Sequence, residues 1–109
     1  MSSSEPVNML CVYHVKKGKD KEFLQLLEKH WPALKGAGLV TSEPAQVFRC
    51  EDKMGMVYFV EKFSWKNAEA PGTAHQLPAV MAVWEPMGGL ADKMAFGQVQ
   101  QIPMPFANG

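Results

Sequence analysis

The sequence predicts one α+β domain with the ferredoxin-like order β-α-β-β-α-β, in which two helices cover one face of a four-stranded antiparallel sheet. Three observations predict this class. Short β-rich segments occupy four places along the chain, two further segments repeat their apolar residues at helical spacing, and 109 residues are enough for one core only. The domain is expected over residues 7–102, with tails at residues 1–6 and 103–109.

The first strand and the first helix are predicted in the first third of the chain. Val7–Val15 is an apolar, β-rich run bounded by Pro6 and Gly18. An apolar stripe at helical spacing follows, made of Phe23, Leu26, Leu27, His30, Trp31 and Leu34. This spacing predicts a helix that begins at Asp20 and is terminated by the glycines at positions 36 and 38.

The second and third strands are predicted as a hairpin over residues 45–50 and 56–63. The turn between them contains Gly55, which supplies a backbone conformation that other residues rarely adopt. The third strand carries apolar residues on both of its faces. We expect Val57 and Phe59 to lie on the face away from the helices, together with Leu10 and Val12 of the first strand.

The last part of the chain is predicted to hold a short helical turn, a second long helix and a final strand. The turn covers residues 67–70 and is expected to stop at Pro71. The long helix is expected to begin near Pro78 and to be broken by Pro86 and the glycines that follow. Its apolar stripe is Leu77, Val80, Met81 and Trp84. The final strand is predicted over residues 95–102.

The far face of this sheet has no helix to cover it. An apolar face of several hundred Å² is rare on a monomer, and covering it is favourable by on the order of 10 kcal/mol before association costs. The sequence therefore predicts a homodimer in which two sheets pack face to face around a two-fold axis. A tail or a wrongly assigned strand on this face is the alternative.

Charge and composition exclude several classes of partner. Eleven Lys and Arg balance eleven Asp and Glu, so nucleic acid is not an expected partner. No apolar run reaches the ~20 residues of a membrane span, and the first residues do not resemble a secretory signal. Cys11 and Cys50 lie in apolar stretches and are interpreted as buried thiols. A cytoplasmic protein is expected.

Three strings resemble the antibiotic biosynthesis monooxygenase branch of the dimeric α+β barrel superfamily. They are the passage from strand to helix over Tyr13–Phe23 (YHVKKGKDKEF), the string Phe63–Asn67 (FSWKN) and the string Ala74–Pro78 (AHQLP). The resemblance covers roughly residues 7 to 100. It implies a dimeric α+β barrel and a substrate cleft lined by a histidine at the position of His75.

His75 is the candidate catalytic residue. A histidine titrates near neutral pH and can accept a proton or hold an oxygen of a substrate. The substrate is expected to contact the phenols and apolar side chains of Tyr13, Tyr58, Trp84, Met81 and Cys11. The spacing of histidines, cysteines and carboxylates fits no metal site. His30 and Trp65 are interpreted as packing residues, and Glu61 as an isolated carboxylate.

The resemblance implies oxygenation of a small quinol- or phenol-type substrate with no metal, flavin or other cofactor. Two alternatives stay open: a non-catalytic dimer that binds a small apolar or aromatic ligand or serves a structural role, and an isomerase or lyase on the same scaffold.

Overall fold

The computed structural model describes residues 5–108, so the parts of the predicted tails at residues 1–4 and 109 lie outside it. Its elements are β1 (Val7–Val15), α1 (Asp20–Gly36), β2 (Gln46–Glu51), β3 (Val57–Trp65), α2 (Ala70–Ala74), α3 (Pro78–Leu90) and β4 (Ala91–Gln98), followed by a 3₁₀ turn over Pro105–Asn108. Within the described residues no helix has the length and apolar character needed to cross a bilayer.

The four strands form one antiparallel sheet in the order β2-β3-β1-β4. This order and the position of the helices confirm the predicted ferredoxin-like class. The helices α1 and α3 lie on the same face of the sheet, where the ring centroid of Phe23 in α1 is 5.1 Å from that of Tyr13 in β1. That face holds the core, and we call it the inner face.

The register of β3 decides which of its side chains are inside. Tyr13 pairs with Phe59 and Cys11 pairs with Glu61, so the odd-numbered residues of β3 share the inner face with those of β1. Phe59 is 1% exposed. The prediction that Val57 and Phe59 lie on the far face was therefore wrong. Because the side-chain period of a strand is two, a misassignment by one residue moves every side chain to the other face.

The outer face is nevertheless apolar at its centre. Leu10, Val12 and Val60 are half-buried there, and Phe48 of the edge strand β2 is 50% exposed. Val12 lies opposite Val60 on one side and Ala95 on the other. The central rows of this face thus present aliphatic side chains even though Phe59 belongs to the inner face.

The elements after β3 differ from their predicted bounds. Pro71 occupies the first turn of α2, where its missing N–H is no loss, so the helix runs through it rather than stopping. Pro86 lies inside α3, which continues to Leu90 because Val83 and Met87 on either side of the proline are buried in the core. The strand β4 begins directly after this helix and ends at Gln98, earlier than predicted.

The hairpin turn between β2 and β3 forms where it was predicted. Gly55 has a φ of 79°, a conformation that costs glycine little. The Asp52 carboxylate accepts hydrogen bonds from the backbone N–H groups of Met54 at 2.8 Å and Met56 at 3.0 Å. This turn fixes the register that places Glu61 inside.

Candidate functional site

A cavity of about 390 Å³ lies between the inner face of the sheet and the helices. Five of the six side chains predicted to form the site line it: Cys11, Tyr13, His75, Met81 and Trp84. The remainder of the wall is largely apolar, with Met9, Phe63, Trp65, Met87, Met94 and Phe96 among its members. The cavity therefore suits a ligand that is mostly hydrocarbon.

Tyr58 does not line this cavity. Its ring lies on the outer face and stacks on His14, with ring centroids 5.4 Å apart. The separation follows from register, because Tyr58 is the direct neighbour of the inward-facing Phe59 and must point the other way. A role for Tyr58 in contacting a ligand of this cavity does not fit its position.

A buried carboxylate stands behind the cavity wall. Glu61 is 0% exposed, and its Oε1 accepts a hydrogen bond of 2.6 Å from the Tyr13 hydroxyl. The Nδ1 atom of His30, a residue 3% exposed, lies 2.9 Å from Glu61 Oε2 and 3.0 Å from Oε1. Tyr13 and His30 both line the cavity, whereas Glu61 does not.

Trp84 fixes the protonation of His30. Its indole nitrogen lies 2.8 Å from His30 Nε2, and an indole N–H can only donate. His30 Nε2 is therefore the acceptor and carries no proton. The single ring proton of the neutral imidazole is on Nδ1, from which it is donated to Glu61. The four side chains form one hydrogen-bonded network from Trp84 through His30 and Glu61 to Tyr13.

Burial and the Glu61 charge also keep the Cys11 thiol and the Tyr13 hydroxyl protonated. Burial, reinforced by the Glu61 charge, raises the pKa of the Cys11 thiol to about 12. Burial and the Glu61 charge also raise the pKa of the Tyr13 hydroxyl well above its usual range. At neutral pH Tyr13 is therefore a hydrogen-bond donor to Glu61, and Cys11 is an apolar lining residue rather than a nucleophile.

His75 lies where the cavity meets solvent. It follows directly after α2, and its backbone N–H donates to the Pro71 carbonyl at 3.3 Å, which closes the last turn of that helix. The side chain is exposed, and its ring approaches Trp84 edge-on with centroids 4.8 Å apart. Trp84 thus contacts His75 and donates its hydrogen bond to His30.

Trp65 lines the cavity, a position that sequence reasoning did not assign to it. The residue is 4% exposed, and no hydrogen-bond partner for its indole N–H is present among the described residues. The indole nitrogen itself is fully buried, so the ring contributes apolar surface to the cavity rather than a donor. A buried donor without an acceptor costs roughly 1–3 kcal/mol.

The sequence alone presents His30 as a packing residue and Glu61 as an isolated carboxylate, and one signal could have linked the two residues. Phe59, Glu61, Phe63 and Trp65 stand at every second position of β3, so a strand that turns its large aromatics inward must also turn Glu61 inward. A buried carboxylate needs a donor, and His30 is in the apolar stripe of α1. Within residues 5–108 no group of three potential metal ligands is present.

The comparisons with known proteins show the fold. The chain matches no family model and no curated protein. Solved structures do match, and their shared class is the α+β fold of the antibiotic biosynthesis monooxygenases, which confirms the predicted resemblance at the level of the fold.

Three solved structures illustrate the likeness. SnoaB, a cofactor-independent oxygenase from Streptomyces nogalater, has a TM-score of 0.65 at 16% identity over 90% of this chain and 96% of its own. An antibiotic biosynthesis monooxygenase gives 0.67 at 12% identity, over 89% and 99%. A protein from Arabidopsis thaliana gives 0.67 at 13% identity, over 90% and 97%.

Proposed function

We propose that this chain is a homodimeric, cofactor-independent monooxygenase-like protein that acts on a small quinol- or phenol-type substrate. The observation that carries the proposal is the cavity of about 390 Å³ between sheet and helices, whose apolar wall is interrupted by the polar atoms of His30, His75, Tyr13 and Trp84. The likeness in fold to a cofactor-independent oxygenase supports the same activity.

The wall chemistry favours an aromatic ring that bears oxygen. The volume lies within the usual range of small-molecule sites, and methionines such as Met81 and Met94 adapt to flat rings of different outline. His30, His75 and Trp84 line the same cavity and carry nitrogen atoms that can form hydrogen bonds with a phenol or quinone oxygen.

The reaction that such a site supports begins with loss of a substrate proton. The resulting anion is electron-rich at carbon and can itself reduce dioxygen, so the protein has to bind the ring, accept the proton and hold the anion away from water. His75 at the mouth is proposed as the partner of the substrate oxygen. Tyr13, Cys11, Met81 and Trp84 are proposed to position the ring.

The dimer is part of the proposal. Leu10, Val12 and Val60 form the centre of the uncovered outer face, and packing two such faces together removes them from water. A cytoplasmic location is also proposed, since Cys11 and Cys50 are free thiols.

Substrate screening tests the function. Quinols and phenols are tested for thermal stabilisation of the protein, and those that bind are tested for oxygen uptake. We expect stabilisation and uptake with the wild type, and a loss in turnover of roughly 10²-fold or more for His75→Ala, the usual scale for a group that exchanges protons with substrate. Gln76→Ala, at the exposed neighbouring position, is the matched control.

A non-catalytic ligand-binding protein is the second candidate. It is favoured by one observation: both ring nitrogens of His30 already have hydrogen-bond partners within the protein, so a ligand that does not displace Trp84 finds no free base at His30. Stabilisation by aromatics without oxygen uptake or product would support this candidate. Product formed without oxygen uptake would instead indicate an isomerase or lyase.

A further inference from the structure

We propose that a hydroxyl group of the ligand replaces the Trp84 indole at His30 Nε2 and transfers its proton to that nitrogen. The inference rests on the proposed function, because it requires that the cavity bind an acidic phenol or quinol. It names His30 as the proton acceptor and leaves His75 as a partner of the substrate oxygen.

The geometry around His30 is that of a general base. Glu61 holds the imidazole proton on Nδ1 at 2.9 Å, so Nε2 carries a lone pair, which accepts the Trp84 N–H in the ligand-free protein and can accept a ligand hydroxyl in its place. In the transfer, the ligand O–H bond breaks and an Nε2–H bond forms, giving an oxyanion and an imidazolium. The imidazolium charge forms next to the Glu61 carboxylate, at a distance where opposite charges attract strongly in a dry interior.

Trp84 is the partner of His30 that can give way. It is half-buried and lines the cavity, whereas Glu61 and His30 are almost completely removed from solvent. Its hydrogen bond is between two neutral groups, which is worth about 1 kcal/mol net. After the exchange, the Trp84 indole N–H still belongs to the cavity wall. It can then donate a hydrogen bond to the oxyanion that the ligand hydroxyl has become.

The other titratable groups of the cavity wall either hold their own protons or lie on its exposed side. Tyr13 already donates to Glu61, and Cys11 holds its own proton because of burial. His75 and Glu85 line the cavity near its opening and are exposed to solvent. His30 is therefore the buried base of the cavity wall, and its Nε2 can meet a ligand once Trp84 gives way.

The first experiment uses the unaltered protein with ¹⁵N-labelled histidine and 4-nitrophenol as the probe. Without probe, we expect the ¹⁵N shifts of His30 to show a proton on Nδ1 and none on Nε2. With probe, we expect both nitrogens to be protonated. A His30 that stays neutral in the complex, or that carries its proton on Nε2 in the free protein, would overturn the inference. This measurement needs no variant.

The second experiment reads the ligand. The nitrophenolate ion absorbs at longer wavelength than the phenol, so the state of the bound probe is measured directly, at a pH below the probe's own pKa. We expect the bound ratio of phenolate to phenol to be at least about tenfold above that in solution, and His30→Gln to abolish this increase. Trp31→Phe, an indole outside the cavity wall, should leave it unchanged.

The outcomes separate this inference from the proposed function. A probe that binds as the neutral phenol, or that ionises equally in His30→Gln, contradicts the role of His30 and leaves the aromatic-binding function standing. A full panel of phenols and quinols that fails to bind the wild type contradicts the proposed function and the inference together.

Discussion

The Nδ1 atom of His30 on α1 lies 2.9 Å from the Oε2 atom of Glu61 on β3, and the two residues are 3% and 0% exposed. A buried carboxylate is tolerated only when its oxygens accept hydrogen bonds, and Glu61 receives them from His30 and Tyr13. The contact therefore joins the helix layer to the sheet at the back of the cavity.

The contact between His30 and Glu61 predicts that the protein loses stability when the charge of Glu61 is removed. In Glu61→Gln, one carboxylate oxygen becomes an NH₂ group, which cannot accept a hydrogen bond. One donor that now meets a carboxylate oxygen therefore loses its acceptor, and the network loses one hydrogen bond. We expect the free energy of unfolding to fall by about 2–3 kcal/mol in urea titrations. Glu69→Gln, at an exposed position, should change it little. Equal stabilities for the two variants would contradict the network.

The pKa of Cys11 predicts loss of stability in alkali. The pKa of this thiol is about 12 in the folded protein against its ordinary value of 9.0, so between these pH values the folded state holds a proton that the unfolded state releases. Stability then falls as pH rises, by roughly 1 kcal/mol per pH unit from this group. The pKa of Tyr13 is also raised, so the loss of stability becomes steeper above pH 10.0, the ordinary pKa of a tyrosine hydroxyl.

Cys11→Ala tests this assignment. Urea unfolding at pH 8 and at a pH between 9 and 12 should show a smaller loss of stability in Cys11→Ala than in the wild type, because the variant has no thiol at this position. An identical pH dependence in both proteins would show that Cys11 is not responsible.

The outer face predicts a dimer that a charge disrupts. Leu10→Lys places an ammonium group at the centre of the proposed sheet-to-sheet interface, and we expect sedimentation to show a protein that dissociates at concentrations where the wild type is dimeric. Leu24→Lys, on the solvent side of α1 at 40% exposure, is the matched leucine control and should stay dimeric. A wild type that sediments as a folded monomer would remove the proposed dimer.

Local patterns predicted the elements that depend on local chemistry. The bounds of β1 and the start of α1 agree with the sequence, since strand composition and a helical apolar stripe need only neighbouring residues. The prolines at 71 and 86 misled the prediction of α2 and α3 for different reasons. Pro71 lies in the first turn of α2, where no hydrogen bond is lost, whereas at Pro86 the burial of Val83 and Met87 outweighs the lost hydrogen bond.

The sequence could predict those site residues whose own position in a strand or helix decides which face of the element they occupy. Tyr13, His75 and Trp84 line the cavity, and their roles stay predictions. Glu61 was missed because its partner His30 is 31 positions away, a separation that no local spacing encodes. Tyr58 was misplaced because β3 is apolar on both faces, which leaves its orientation undetermined until the register is known.

The junction between α3 and β4 joins two walls of the cavity without a loop. Leu90 ends the helix and Ala91 begins the strand, and the Leu90 carbonyl accepts a hydrogen bond of 2.9 Å from the N–H of Lys16, the residue directly after β1. The strand that bears Met94 is held by its pairing with β1. A bulkier ring is therefore admitted by a tilt of α3 about its C-terminal end, which moves Trp84 away from a strand that stays in place.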